Sequence, residues 1–230
     1  MLSSTLPHPK VADILEANAA LRRLLVHDIP LLIHAIPTQD FRLAVFSDSS
    51  LHNAGGGSAQ VAWLVVATDR HLVDNQEAPV SILTFKSHKM QRAASATMAA
   101  EAYGLSEALA EAEWVATWIG LAKSLDYNVR QRDQVNRCFR ACAIMNDEAQ
   151  ERINLTAIID AKSLYDNIAR EQYSGVERRA ALEVCVIKDS LGAFEGQARS
   201  VPHEENPADC LAKLKGNAAR LLQLMQTGMY

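Results

Sequence analysis

The chain begins with short β-like runs of apolar residues and continues with longer helix-like stripes. The run FRLAVFSD at 41–48 predicts a buried strand that ends in an acid, Asp48. Two further runs, at 59–69 and 80–86, are rich in apolar and β-branched residues and are bounded by loop-like segments. Three consecutive strands joined by loops predict an antiparallel meander.

The rest of the chain carries helical patterns interrupted by two more β-like runs. Residues 95–125 hold the longest helical stripe, and Glu101 lies on or beside its apolar edge. The run at 153–160 predicts a fourth strand, which like the first ends in an acid, Asp160. Helices are predicted at 161–170, 176–194, 206–214 and 217–226, and a fifth short strand at 198–202. This order of strands and helices indicates an α/β fold.

The N-terminal pattern predicts a separate amphipathic helix over residues 9–26. Ile14, Leu21 and Leu25 lie on its apolar stripe, and we expect this stripe to pack on the domain because water penalises its exposure. The sequence divides into an N-terminal helix and connector at 1–40, a main domain at 41–215 with an insertion at about 126–152, and a C-terminal helix at 216–230.

Composition restricts the classes of function. The chain has 230 residues, 49% of them apolar, which is enough for one domain with a sizeable core. A net charge of −4 argues against a free-standing, strongly basic nucleic-acid binder, but not against an enzyme that meets nucleic acid through metal ions. No signal-peptide pattern or membrane-length apolar run occurs, and the cysteines lack zinc-site spacing. We therefore expect an intracellular protein, in cytoplasm or nucleus, with reduced thiols and no membrane partner.

Four acids stand at junctions of the predicted elements. Asp48 and Asp160 end strands, Glu101 lies on the long helix, and Asp209 falls in the first turn of a late helix. A right-handed crossover allows the two strands to be neighbours, with both aspartates at one sheet edge and Glu101 directed at the same spot. Clustered carboxylates require cations, and their hard oxygens suit Mg²⁺ or Mn²⁺. Two such ions are suited to an in-line phosphoryl displacement.

Four segments resemble the ribonuclease H domain of copia-type retrotransposon polyproteins, over about residues 15–215. They are LAVFSDSS, FKSHKMQRAASATMAAEAYGLSEAL, IIDAKSLYDNI and SVPHEENPADCLAKL. The resemblance implies a ribonuclease H-like fold, in which helices flank a central five-stranded mixed sheet of three antiparallel strands followed by parallel strands. It also implies that residues 1–40 correspond to the segment joining polymerase to ribonuclease H, with a reverse transcriptase domain or subunit as a partner.

The same resemblance implies a function and a site. Its members are metal-dependent endonucleases that hydrolyse the RNA strand of RNA–DNA hybrids, using two Mg²⁺ ions that Mn²⁺ can replace. By this resemblance Asp48, Glu101, Asp160 and Asp209 are the catalytic, metal-binding tetrad. His203 matches a position where related enzymes carry a histidine that assists product release.

Basic residues suggest where an RNA–DNA hybrid would be held. Lys86, Lys89 and Arg92 precede the long helix and are candidates for contacts with the nucleic-acid backbone, with a solvated basic loop as the alternative. The insertion at 126–152 contains a second cationic group, whose members are Arg130, Arg132, Arg137 and Arg140.

Other classes of protein fit the pattern of acids less well. Proofreading exonucleases need a second acid two residues after the first, where this chain has Ser50. Transposase-like enzymes usually end their set with a helical Glu, where this chain has Asp209. The alternative from a different class of protein is a catalytically inactive ribonuclease H-like scaffold that binds protein or nucleic acid. The presence of all four acids disfavours that alternative, because clustered carboxylates are costly to keep.

Overall fold

The computed structural model describes residues 10–26, 30–54, 58–94, 96–123, 154–170, 178–213 and 216–230. Its centre is one five-stranded sheet with the strand order β3-β2-β1-β4-β5. The strands are β1 (Arg42–Ala54), β2 (Ser58–Thr68), β3 (Ser81–Lys89), β4 (Leu155–Ile159) and β5 (Gln197–Ser200). The predicted insertion and its four arginines lie outside the described residues.

The sheet is mixed, as the sequence predicts. Strands β1, β2 and β3 pair antiparallel, whereas β4 runs parallel to β1 and β5 runs parallel to β4. β1 therefore lies at the centre, between the meander and the parallel half. A parallel neighbour requires a crossover connection, and the long helix supplies part of the crossover from β3 to β4.

Helices cover both faces of this sheet. The helices of the described residues are α1 (Val11–Val26), α2 (Arg70–Val73), α3 (Thr97–Lys123), α4 (Lys162–Ala169), α5 (Arg178–Ala193), α6 (Asp209–Ala212) and α7 (Ala219–Thr227). Leu43 and Val45 of β1 contribute to the core that contains the buried residues of α3 and α5. Ala44 and Phe46 contribute to the opposite core, which contains Leu224 of α7. β1 is thus apolar on both faces, which explains its nearly continuous apolar sequence.

The C-terminal residues close the second core. Gly228 ends α7 in the left-handed region, at φ 64°, where a residue without a side chain avoids strain. The chain then pairs with residues before β3 through a bridge between Pro79 and Met229. Tyr230 is buried, and its ring contacts Phe46 edge to face at 4.8 Å between centroids. The last residues are therefore part of the packed domain.

Two predictions about helices are wrong. The helix predicted at 206–214 is a single turn, Asp209–Ala212, because the backbone becomes extended at Lys213 (φ −118°, ψ 137°). The N-terminal helix forms, but its stripe does not pack on the domain. Ile14 is 57% exposed, Leu21 57% and Leu25 84%.

The connector that follows α1 does contact the domain. His34 N donates a hydrogen bond to the Ser81 hydroxyl at the start of β3, at 2.8 Å. The division of the chain into an N-terminal segment (1–40), a main domain (41–215) and a C-terminal helix (216–230) stays a prediction.

Removal of residues 1–26 is expected to leave the melting temperature within about 2 °C of the full chain, because α1 buries little apolar surface. Removal of residues 219–230 is the matched control and should lower it strongly, since Leu224 and Tyr230 belong to the core. Thermal unfolding followed by circular dichroism measures both. A large loss of stability in the first deletion would contradict the exposure of α1.

Two glycines give a paired test of the packing of the α5–β5 loop against β4. A Cβ on Gly196 would lie 2.3 Å from the Leu155 carbonyl oxygen, whereas a Cβ on Gly192 meets no atom within 4 Å. Gly196→Ala should therefore destabilise the protein by about 1–3 kcal/mol. Gly192→Ala, in helix α5, should be neutral or stabilising by up to about 1 kcal/mol. Urea denaturation of both variants measures the difference, and equal effects would contradict the close approach at Gly196.

Candidate metal centre

Two of the four acids are adjacent because β1 and β4 are parallel neighbours. Phe46 of β1 is the register partner of Ile158 of β4. Two residues further along each strand are Asp48 and Asp160, which therefore stand side by side at the same sheet edge. The side chain of Asp48 is 1% exposed and that of Asp160 is 9% exposed. The predicted pairing of these two acids is confirmed by the register.

Helix α3 brings Glu101 to the same place. Glu101 lies in its second turn and is 5% exposed, between the buried residues Ala100 and Ala102. Gly104, one turn later, faces β1 and β2: a Cβ there would be 3.1 Å from Val61 Cγ1 and 3.9 Å from the Asp48 carbonyl oxygen. The missing side chain lets the helix lie close to the strands. Asp48, Glu101 and Asp160 each place a carboxylate oxygen within 4.8 Å of the others.

The buried position and the crowding change the acidity of these groups. Burial, followed by the negative charge of Asp160, raises the pKa of Asp48 from 3.8 to about 7, although the Lys213 ammonium opposes the shift. Burial, and then the charges of Asp48 and Asp160, also raise the pKa of Glu101 well above its ordinary value. Without a cation, the cluster therefore favours protons over a full set of negative charges.

Asp209 comes from a tight turn that is fastened to β1. The Asn206 side chain donates a hydrogen bond to the Ser47 carbonyl oxygen at 2.9 Å and accepts one from Ala208 N at 3.1 Å. This holds Asp209, which is 1% exposed, at the start of α6 near Asp48. Asp209 is not part of the group of three acids described above.

His203 connects the two outer acids. Its Nδ1 lies 2.9 Å from Asp160 Oδ2, and its Nε2 lies 3.2 Å from Asp209 Oδ1. The hydrogen bond to Asp160 raises the pKa of His203, although partial burial opposes this. Half of the His203 side chain is exposed. The structure thus brings all four predicted acids and the predicted histidine to one place.

Lys213 is a member of the site that sequence reasoning missed. Its Nζ lies 3.1 Å from Asp48 Oδ2 and 2.5 Å from Asp209 Oδ1, so one ammonium bridges two buried carboxylates. Burial lowers the pKa of Lys213, but the hydrogen bond to Asp209 and the charge of Asp48 outweigh this and raise it. The spacing of Lys213 four residues after Asp209 is a signal for a helical ion pair. Contact with Asp48 could not be read from it.

Comparison with solved structures finds ribonuclease H proteins. The chain is similar to ribonuclease H1 of Halobacterium salinarum, with 17% identity over 74% of this chain and 94% of that one, at a TM-score of 0.47. It is similar to the N-terminal ribonuclease H domain of a Mycobacterium tuberculosis protein, with 13% identity over 74% of this chain and 90% of that one, at a TM-score of 0.44. No protein-family model and no curated protein matches the sequence.

A viral structure is also similar. The foamy viral protease-reverse transcriptase, solved in complex with an RNA/DNA hybrid, shares 11% identity over 92% of this chain and 27% of that one, at a TM-score of 0.44. The fold assignment follows from the strand order and directions described above. The chain has the ribonuclease H-like fold. The predicted fold class is therefore confirmed.

The predicted nucleic-acid-binding residues lie on or just after β3. Lys86 Nζ is 2.8 Å from Glu107 Oε1, and Arg92 is 2.8 Å from Glu183 Oε1. Lys89 is exposed. The acids next to Lys86 and Arg92 balance their charge, so this part of the surface is less cationic than the sequence suggests. A role of these three residues in binding stays a prediction.

The donor set fits a hard divalent cation. Three carboxylates from β1, α3 and the end of β4 converge on one point, and burial together with the neighbouring carboxylates raises the pKa of two of them, Asp48 and Glu101. Mg²⁺ and Mn²⁺ prefer oxygen ligands of this kind. Asp48, Glu101 and Asp160 would hold such an ion, with Asp209 and His203 beside them.

Stabilisation by a divalent cation is expected to depend on pH. The pKa of about 7 for Asp48 lies above its ordinary value, so the metal-free protein loses stability as the pH rises from about 4 to about 7. At pH 6 a cation competes with this proton, which weakens its binding about tenfold relative to pH 8. The gain in melting temperature from 5 mM Mn²⁺ should therefore be a few degrees larger at pH 8. Asp48→Asn is the control and should lose the difference, whereas equal gains at both pH values in the unaltered protein would contradict binding at this cluster.

Proposed function

We propose that the chain is a divalent-cation-dependent endonuclease that hydrolyses the RNA strand of RNA–DNA hybrids. The observation that carries the proposal is the convergence of Asp48, Glu101 and Asp160 within 4.8 Å at the edge of a ribonuclease H-like sheet. Asp209 and His203 lie at the rim of the same cluster. Ribonuclease H1 proteins are among the similar structures, one of them solved in complex with an RNA/DNA hybrid.

Each residue has a separate part in this proposal. Asp48, Glu101 and Asp160 would hold one cation, and Asp48 together with Asp209 would hold the second. Bound Mg²⁺ or Mn²⁺ ions supply an activated water and stabilise the leaving oxygen in phosphoryl displacement. His203, half exposed and hydrogen-bonded to Asp160, holds that carboxylate in place and faces the solvent side where product leaves.

Substrate recognition in this proposal uses the shape of the hybrid. The 2′-hydroxyl groups in the minor groove distinguish an RNA strand from DNA. Lys86, Lys89 and Arg92 are the proposed contacts with the phosphate backbone. Because Lys86 and Arg92 are each paired with a glutamate, we expect their contribution to be modest and to decrease with salt.

The origin and partner belong to the same proposal. Descent from a copia-type retrotransposon rests on the four sequence segments given above, and a reverse transcriptase domain or subunit is the partner that this origin implies. No helix in the described part of the chain has both the length and the apolar character needed to cross a membrane.

Asp160→Asn is expected to reduce cleavage of a labelled RNA–DNA hybrid in 5 mM Mg²⁺ by at least about a hundredfold, because it removes one charged ligand from the cluster. Asp189→Asn is the matched control: Asp189 lies on α5, is exposed, and is outside the site, so its activity should equal that of the unaltered protein. Cleavage by Asp160→Asn at the normal rate would contradict the assignment. Cleavage in EDTA would contradict dependence on a divalent cation.

One observation favours a second candidate, the inactive scaffold. The Lys213 ammonium already offsets part of the negative charge of Asp48 and Asp209 through contacts of 3.1 and 2.5 Å. A protein that binds a hybrid but neither cleaves it nor gains stability from Mn²⁺ would fit this alternative. The cleavage assay, run beside a binding assay with the same hybrid, separates the two functions.

A further inference from the structure

The Lys213 ammonium occupies the space between two acids that come from distant parts of the chain. It contacts both oxygens of Asp48, at 3.1 and 3.2 Å, and Oδ1 of Asp209 at 2.5 Å. Both carboxylates are 1% exposed, so water offers them little screening. Lys213 follows the single turn of α6, and its side chain folds back over that turn to reach Asp209.

Both carboxylate oxygens of Asp209 have polar contacts in this arrangement. Its Oδ1 contacts Lys213 and His203 Nε2, and its Oδ2 accepts a hydrogen bond from Asn217 N at 2.8 Å. Mg²⁺ binds carboxylate oxygens at about 2.0–2.1 Å, so an ion shared by Asp48 and Asp209 would use an Asp48 oxygen that the ammonium contacts. An ammonium and a divalent cation cannot both occupy the space between the two carboxylates.

The group formed by Asp48, Glu101 and Asp160 is less obstructed, although His203 Nδ1 contacts Asp160 Oδ2 at 2.9 Å. Asp48, Glu101 and Asp160 converge without a lysine bridging Glu101 or Asp160 in the described contacts. Each oxygen of Asp48 has two lone pairs, so it can accept the Lys213 ammonium and bind one cation at the same time. The two cation positions therefore differ: one is open, and the other contains an internal positive charge.

We propose that Lys213 is a built-in counter-ion that takes the place of the second divalent cation, so that the site binds one ion readily and a second only when Lys213 withdraws. This inference rests on the proposed function in one respect, that the carboxylates bind divalent cations. When no ion or only one ion is bound, the Lys213 ammonium offsets part of the negative charge of the buried Asp48 and Asp209 carboxylates. Binding of the second ion therefore depends on the withdrawal of Lys213.

The test is a titration of the full chain with Mn²⁺, in which electron paramagnetic resonance measures the free ion. The unaltered protein should bind one Mn²⁺ per chain and a second only at a much higher concentration. Lys213→Met, which keeps the length of the side chain but removes the charge, should bind the second ion at least tenfold more tightly. Lys213→Arg keeps the charge and should resemble the unaltered protein, whereas Asp209→Asn combined with Lys213→Met should lose the second step.

The melting temperature of the metal-free protein is a second measurement, which depends neither on cleavage activity nor on the binding of Mn²⁺. In EDTA, Lys213→Met should melt at least about 3 °C below the unaltered protein, because two buried carboxylates lose their partner. The combination with Asp209→Asn should recover most of this loss, since the second acid is then neutral. If Lys213→Met does not fold, folding of the double variant supports the counter-ion role and failure of the double variant overturns it.

The outcomes separate this inference from the proposed function. Identical Mn²⁺ titrations of Lys213→Met and the unaltered protein would overturn the counter-ion role, and so would two equally tight ions in the unaltered protein. If the unaltered protein also cleaves the hybrid, the proposed function stands while the inference fails. If no variant binds Mn²⁺ and no cleavage occurs, the proposed function fails and this inference fails with it.

Discussion

The need to hold several carboxylates together away from water governs the arrangement of this protein. Asp48 and Asp209 are 1% exposed and Glu101 is 5% exposed, so solvent does little to weaken their mutual repulsion. Burial alone already disfavours their charged forms. The site exists only because each acid is attached to an element that the two apolar cores hold in place, and because cationic groups lie beside the acids.

The attachment of the turn that carries Asp209 shows how far this support extends. Asn206 ties the turn to β1 through the Ser47 carbonyl oxygen, next to Asp48. On its other side, the Tyr230 hydroxyl donates a hydrogen bond to the Glu205 carbonyl oxygen at 3.1 Å, while its ring packs against Phe46. The C-terminal residues thus position the segment that carries His203. The end of the chain is part of the support of the site, although it contributes no side chain to it.

Sequence patterns were sufficient for the strands, the meander and the positions of the acids, because these depend on local signals, whereas the complete mixed sheet was implied by the resemblance. Once β1 and β4 are parallel neighbours, Phe46 opposite Ile158 fixes where Asp48 and Asp160 stand. The exposed stripe of α1 was not predictable, since an amphipathic pattern states that a face is apolar and not what covers it. Lys213 was missed for a related reason: its contact with Asp48 spans 165 positions and depends on how α6 docks against β1.

The balance of charge connects the metal positions to the substrate in the proposed nuclease. Lys213 and one divalent cation supply three of the four positive charges that four ionised carboxylates require. A second divalent cation added to this set would leave the site with excess positive charge until a phosphodiester brought its own negative charge. Exchange of the lysine for the second ion would then be favoured by the arrival of the substrate.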